Sequence, residues 1–268
     1  MSSTVPTPDS LADALDAVQS RSPLVQCLTN IVAAQWTANV LLAAGAVPAM
    51  VDNPREAGEF ARIAGGVLVN VGTPYEETAT AMRDAVGAAG DAGTPWVLDP
   101  VAAGALGWRT RLAEELLRSV SPAVVRGNAS EVLALVGGLG GKGVESVDTP
   151  EAAVETAGAL AGKHGCVVAV SGPVDHITDG DRLVRVANGH PLLARVTGVG
   201  CSLGALMAAF SAVTEDRLVA ATAATAALTV AADVAAATAP GPGSFAVALL
   251  DELSRLTPAS LASAVRLG

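Results

Sequence analysis

Short runs crowded with Val, Leu and Ile alternate along this chain with longer runs whose apolar residues recur three or four apart. The first pattern fits buried strands and the second amphipathic helices. A polar leader over residues 1–9 precedes a first helix, "LADALDAVQS", with Asp9 or Ser10 as its cap. "PLVQCLT" then reads as a strand, and "AAQWTANVLLAAG" as a helix stopped by Gly45. "AVPAM" is a short strand, and "PREAGEFARIAG" a helix opened by Pro54. The beat continues through strand "GVLVNVG", helix "PYEETATAMRDAVGAAG", strand "PWVLDP", helix "RTRLAEELLRSV" and strand "AVVRG". Helix "ASEVLALVGG", capped by Asn128, helix "PEAAVETAGALAGKHG" and strand "CVVAVSG" complete it. The alternation then breaks. "VDHITDGDRLVRVANG" reads as two short strands around the Asp179–Gly180 turn, and only helices follow "LLARVTGVGC".

Strands alternating with helices imply a largely parallel sheet covered on both faces. No low-complexity linker divides the chain, so residues 1–268 are expected to form a single α/β domain. In open sheets of this class the ligand lies beyond the carboxyl ends of the strands. Informative residues should therefore follow strands.

Composition narrows the function classes. Apolar residues make up 51% of the chain and charged residues only 16%, so much surface must be hidden, which favours subunit association. The stretch Val219–Pro240 is built from Ala and Thr and carries Asp233, so it reads as a helix buried between neighbours rather than a membrane span. A net charge of −10 argues against a nucleic-acid surface, yet a few cations focused in one cleft can still hold an anionic small ligand. Cys27, Cys166 and Cys201 have neither metal-ligand spacing nor an even number for disulfides. With no signal peptide in "MSSTVPTPDS", a cytoplasmic location is expected.

Candidate chemistry follows the strands as expected. Thr29 and Asn30 follow "LVQC", Asp99 opens "DPVAAG", Arg126, Asn128 and Glu131 lie in "RGNASE", and Ser171–Gly172 follow "VVAV". Asn128 and Glu131 also read as a capping box. The most informative stretch is "TGVGCSLG", where Thr197, Gly198, Val199, Gly200 and Cys201 lead into the apolar run "ALMAAF". Glycines let backbone approach a bound group closely, and a helix start offers unpaired N–H groups at the positive end of its dipole. That is a place for an anion, with Cys201 at its edge as a chemical group or a small packing residue. Two familiar phosphate motifs fail: Lys142 lacks the P-loop spacing, and "GLGGKG" follows a helix rather than a strand. Cys27 and Cys166 read as core, His176 and His190 as structural or solvated, Arg195 as solvated, and Trp36 and Trp108 as packing residues.

In that order and spacing, "DPVAAG", "RGNASE" and "VTGVGC" resemble the hydroxyethylthiazole kinases of thiamine salvage, among the ribokinase-like kinases. "SPLVQCLTNIVAAQWTANVLLAAGAVPAM", "NVGT", "SGPVDHI", "NGHPLLARVTGVGC" and "GPGSF" extend the resemblance from about Ser22 to Phe245. It implies a ribokinase-like fold and ATP-dependent phosphorylation of the primary alcohol of 4-methyl-5-(2-hydroxyethyl)thiazole. A cysteine where the superfamily usually has Asp is characteristic of the thiazole kinases. The resemblance gives Cys201, Gly200 and Val199 the transfer step, and Met50, Gly198 and Asn30 the thiazole. Arg126, Ser171 and Thr197 fall to ATP, and Asp99 and Glu131 to Mg²⁺. It also implies a homotrimer with sites between subunits. Ala102 stands where the family more often has glycine, and Ser171 where threonine is commoner. Another kinase of the superfamily, a ligand-binding protein without turnover and a cysteine hydrolase are the rival readings.

Overall fold

A computed structural model describes residues 4–137 and 150–268. The elements run α1 (Pro8–Arg21), β1 (Leu24–Leu28), α2 (Ala34–Ala44), β2 (Val47–Ala49), α3 (Ala57–Ile63), β3 (Gly66–Asn70) and α4 (Glu76–Ala92). Next come β4 (Trp96–Asp99), α5 (Gly107–Ser119), β5 (Val124–Asn128), α6 (Ala129–Gly137), α7 (Pro150–His164) and β6 (Val167–Ser171). The chain ends with β7 (Asp175–Thr178), β8 (Leu183–Val186), α8 (Val199–Ser211), α9 (Arg217–Ala236), α10 (Pro242–Arg255) and α11 (Pro258–Ala264). A 3-10 turn, Pro191–Arg195, leads into α8.

The strands form one sheet in the order β2-β1-β3-β4-β5-β6-β7-β8. Pairing is parallel from β2 to β6 and antiparallel across β7 and β8. Helices α1, α2 and α8–α11 pack on one face, and α3–α7 on the other. Strands covered on both sides are buried along their whole length, so β3 is apolar up to its last residue, Asn70. At the centre, α8 lies almost on the sheet. A Cβ on Gly66 would come within 2.4 Å of the Ala208 carbonyl oxygen, and one on Gly204 within 2.9 Å of Leu68.

Helix α9 is long and apolar enough to cross a membrane, but 83% of its apolar window is buried inside the fold. It is a core helix, as the Val219–Pro240 stretch suggested.

Several boundaries differ from the sequence expectation. The first helix starts at Pro8, and its cap is Thr7 rather than Asp9 or Ser10. Thr7 Oγ1 accepts from Ser10 N–H at 3.3 Å while Ser10 Oγ accepts from Thr7 N–H at 2.9 Å, so the leader ends earlier than residue 9. Pro54 opens a turn and not a helix: the Asn53 carbonyl accepts from Glu56 and Ala57 N–H, and α3 begins only at Ala57. Trp108, expected to pack, is 38% exposed at the start of α5. The C-terminus also departs from an all-helical ending. Beyond α11, Leu267 bridges Val186, and Arg185 N–H donates to the Gly268 carbonyl at 2.9 Å. The chain end thereby covers the open edge of β8. Lys142 and the "GLGGKG" stretch lie outside the described residues.

Candidate active site

Alternation along the central strands sorts the polar residues. Leu68, Val97, Val124, Val167 and Ala169 face α8 and its neighbours, so Asn70, Asp99, Arg126 and Ser171 fall on the same face two residues on. Register completes the arrangement: Asn70 pairs with Asp99 across β3 and β4, and Asn128 with Ser171 across β5 and β6. Four interior strands thus deliver polar groups to the carboxyl end of the sheet, beneath the start of α8.

These groups form a connected chain. Asn70 Nδ2 donates to Asp99 Oδ2 at 2.6 Å, and the Arg126 guanidinium lies 3.6 Å from the same oxygen. Arg126 Nη2 donates to Ser171 Oγ at 3.1 Å. On the other side, Asn30 Nδ2 donates to Asn70 Oδ1 at 3.0 Å and to Cys201 Sγ at 3.1 Å. Of the sequence candidates, Asn30, Asp99, Arg126, Ser171 and Cys201 are therefore brought together.

The glycine turn has the expected form. Gly198 is the N-cap of α8 with φ +86°, and Val199, Gly200 and Cys201 are the first three helical residues. Their N–H groups have no carbonyl of their own helix to donate to. A Cβ on Gly200 would come within 3.0 Å of Arg126 Nη2, so glycine lets the guanidinium pass beside the turn. At Gly198 a side chain would meet Ala33 and Trp36 at 3.1 and 3.2 Å.

Glu131 shows that the capping-box reading is real. Its Oε2 accepts from Asn128 N–H at 2.9 Å, and Asn128 Oδ1 accepts from Glu131 N–H at 2.9 Å. Oε1 reaches further, to the N–H of Ala102 at 3.0 Å. Ala102 itself is left-handed, φ +62°, a conformation that costs a non-glycine residue strain. The residue noted as a departure from glycine thus sits where glycine would relax the backbone.

Electrostatics set the protonation states. Burial pushes Asp99 up to about 6; Arg126 opposes the rise and the charge of Glu131 adds to it. Asp99 Oδ1 is buried without a partner. Each Glu131 oxygen keeps a lone pair beyond its backbone bond. Two mutually repelling carboxylates with such spare capacity suit a divalent cation held partly through water, although the described residues contain no three-residue metal-ligating cluster. The Cys201 thiol is pushed up by burial and by Asp99, with the Asn30 and Asn70 amides and Arg126 opposing. The position at a helix start, which by itself would lower a thiol, does not prevail. A raised thiol bonded to amides is the opposite of an activated cysteine nucleophile, which argues against the hydrolase reading.

The remaining candidates lie at the margin. Met50 follows the edge strand β2 and is 39% exposed, and Thr197 is exposed just before the turn. Arg195 is exposed, and His190 caps the 3-10 turn. Cys27 and Cys166 are buried and pushed up to about 12, as core residues should be. Two site residues escaped the sequence reading. Asn70 is fully buried at the end of β3, where its side-chain parity was the available signal. Asp175 accepts from Gly172 N–H at 3.0 Å and hydrogen-bonds Ser171; burial pushes it up to about 6.

Comparison with known proteins matches this architecture. The model of the hydroxyethylthiazole kinase family matches residues 15–259. A protein named hydroxyethylthiazole kinase from Clavibacter sepedonicus is 60% identical over 262 residues, covering 97% of this chain and 94% of its own. The structure of a hydroxyethylthiazole kinase protein from Pyrococcus horikoshii OT3 is 40% identical with a TM-score of 0.90, covering 96% of this chain and 98% of its own. A ribokinase-like superfamily protein from Enterococcus faecalis V583, 12% identical with a TM-score of 0.64, covers 96% of this chain and 92% of its own and shares the fold.

Proposed function

The chain belongs to the hydroxyethylthiazole kinase family, and from that premise we infer that it phosphorylates the primary hydroxyl of 4-methyl-5-(2-hydroxyethyl)thiazole with ATP, in thiamine salvage. The observation that carries this reading is the free amide turn at Val199, Gly200 and Cys201, set directly beside the Asp99–Arg126 pair.

Phosphoryl transfer asks for alignment and charge neutralisation more than covalent help. The three amides hold the transferring group where negative charge shifts during the reaction. Arg126, Ser171 and Thr197 bind the nucleotide phosphates, with the Arg126 fork steadied by Ser171. Met50, Gly198 and Asn30 line the thiazole. Cys201, whose thiol is held neutral, takes no proton; it orients the alcohol, whose proton passes to an oxygen of the transferred phosphoryl group as the new oxygen–phosphorus bond forms and the bond to ADP breaks. Asp99 and Glu131 are the residues that would hold Mg²⁺, which would neutralise phosphate charge.

Exposed Ile31 and Val32, after β1, and Met50, after β2, are apolar residues at the same end of the sheet as the turn. Their exposure supports a homotrimer whose subunits complete one another's substrate pockets. Three unpaired cysteines suit a reducing cytoplasm. Light scattering on the purified protein should give the mass of three chains.

The direct test is a coupled assay with ATP, Mg²⁺ and the thiazole alcohol. ADP release should depend on the alcohol. Folded protein that ignores it, or that prefers a hydroxymethylpyrimidine or a sugar, overturns the assignment.

A further inference from the structure

Asn70 ends a strand whose other positions are apolar, and its side chain is fully buried. Packing alone would favour another residue like Leu68, two positions earlier on the same face. A buried amide is tolerated only when its hydrogen bonds are met. Here they are met in a fixed sense. The Gly72 N–H donates to Asn70 Oδ1 at 2.9 Å, which turns Nδ2 toward Asp99 Oδ2, 2.6 Å away. The Ala33 N–H donates to Asn30 Oδ1 at 3.0 Å, which turns its Nδ2 toward Asn70 Oδ1 and Cys201 Sγ. Flipping either amide would set N–H against N–H. Gly72 leaves room for the pair: a Cβ there would come within 2.9 Å of both Asn30 Cβ and Asn70 Oδ1.

We propose that Asn70 is a positioning residue for phosphoryl transfer. Its amide fixes the Asp99 carboxylate, on the phosphate side, relative to the Asn30–Cys201 pair, on the alcohol side. It acts through these residues and touches neither substrate. The proposal rests on the kinase reading above. Its consequence is kinetic, because a displacement of about 1 Å between reacting groups costs roughly a hundredfold in rate.

Steady-state kinetics on Asn70→Ala and Asn70→Asp, with melting curves, test this. Asn70→Asp keeps an acceptor for Asn30 and Gly72 but turns a carboxylate toward Asp99. Both variants should lose at least about thirtyfold in kcat with the KM for ATP nearly unchanged. Leu68→Val, a cavity in the same strand outside the hydrogen-bonded chain, should melt earlier and keep its kcat. The double variant of Asn70→Ala with Cys201→Ala should lose less than the product of the two single losses, since both break one unit. Should Asn70→Ala fail to fold, Asn70→Ser carries the same comparison. An active wild type with Asn70 variants of unchanged kcat, or with multiplicative losses, overturns this proposal alone. A wild type inactive on the thiazole alcohol overturns the kinase reading and this proposal with it.

Discussion

The side-chain amide of Asn30 donates to the sulfur of Cys201 across 3.1 Å, joining the loop after β1 to the first turn of α8. The sulfur is therefore an oriented acceptor, in a site where burial and Asp99 keep the thiol protonated at neutral pH. Cys201→Ala should fold normally and lose about ten- to a hundredfold in kcat, because the alcohol loses the sulfur that orients it. Cys201→Ser should lose less. Steady-state assays with both substrates check this, and an unchanged kcat in Cys201→Ala would reduce Cys201 to a packing residue.

Thiol labelling gives a second readout. At pH 7 iodoacetamide should modify Cys201 slowly and leave buried Cys27 and Cys166 untouched. The rate should climb with pH as the Cys201 thiolate forms. Mass spectrometry of the digested protein reads all three sites.

Gly200 and Arg126 share one space, so a methyl group at position 200 should displace the guanidinium. Gly200→Ala should raise the KM for ATP about tenfold or more while leaving the melting temperature nearly unchanged. Arg126→Lys keeps the charge and loses the fork that reaches both Asp99 and Ser171, and should have a similar effect. Initial rates against ATP concentration check both.

Asp175 gives the pH-dependent prediction. Burial raises its folded pKa to about 6 from an ordinary value near 3.8. The folded state therefore binds the proton more tightly, and stability from this group falls as pH rises from about 4 through about 6. Asp175→Asn should be stabilising above pH 7, on the order of 2 kcal/mol, and lose that advantage below pH 4. Melting curves across pH measure it.

Ala102 holds φ +62° while its N–H donates to Glu131. Ala102→Gly relieves left-handed strain and adds freedom to the unfolded chain, for a net gain of up to about 1 kcal/mol. Activity should persist. A denaturant titration of both proteins measures the change.

The sheet was readable because β-branched runs punctuate helical ones from "PLVQCLT" to "CVVAVSG". Helix starts were harder: in α1 the cap depends on which side chain turns back, Thr7 rather than Asp9, and a backbone turn on the Asn53 carbonyl delays α3 to Ala57. Asp99, Arg126 and Cys201 were visible as polar groups just where strands end or helices begin. Asn70 was hidden inside "GVLVNVG", and its meaning comes from a pairing with Asp99 that only the sheet register creates. The direction of the Cys201 shift was illegible for a related reason, since a local sequence shows the helix start but neither the depth of burial nor the carboxylate beside it.

The most direct test is a crystal structure with the thiazole alcohol and a nonhydrolysable ATP analogue. The terminal phosphate should accept from the amides of Val199, Gly200 and Cys201, with the alcohol oxygen between it and Sγ. A nucleotide bound elsewhere, with that turn vacant, would contradict the account.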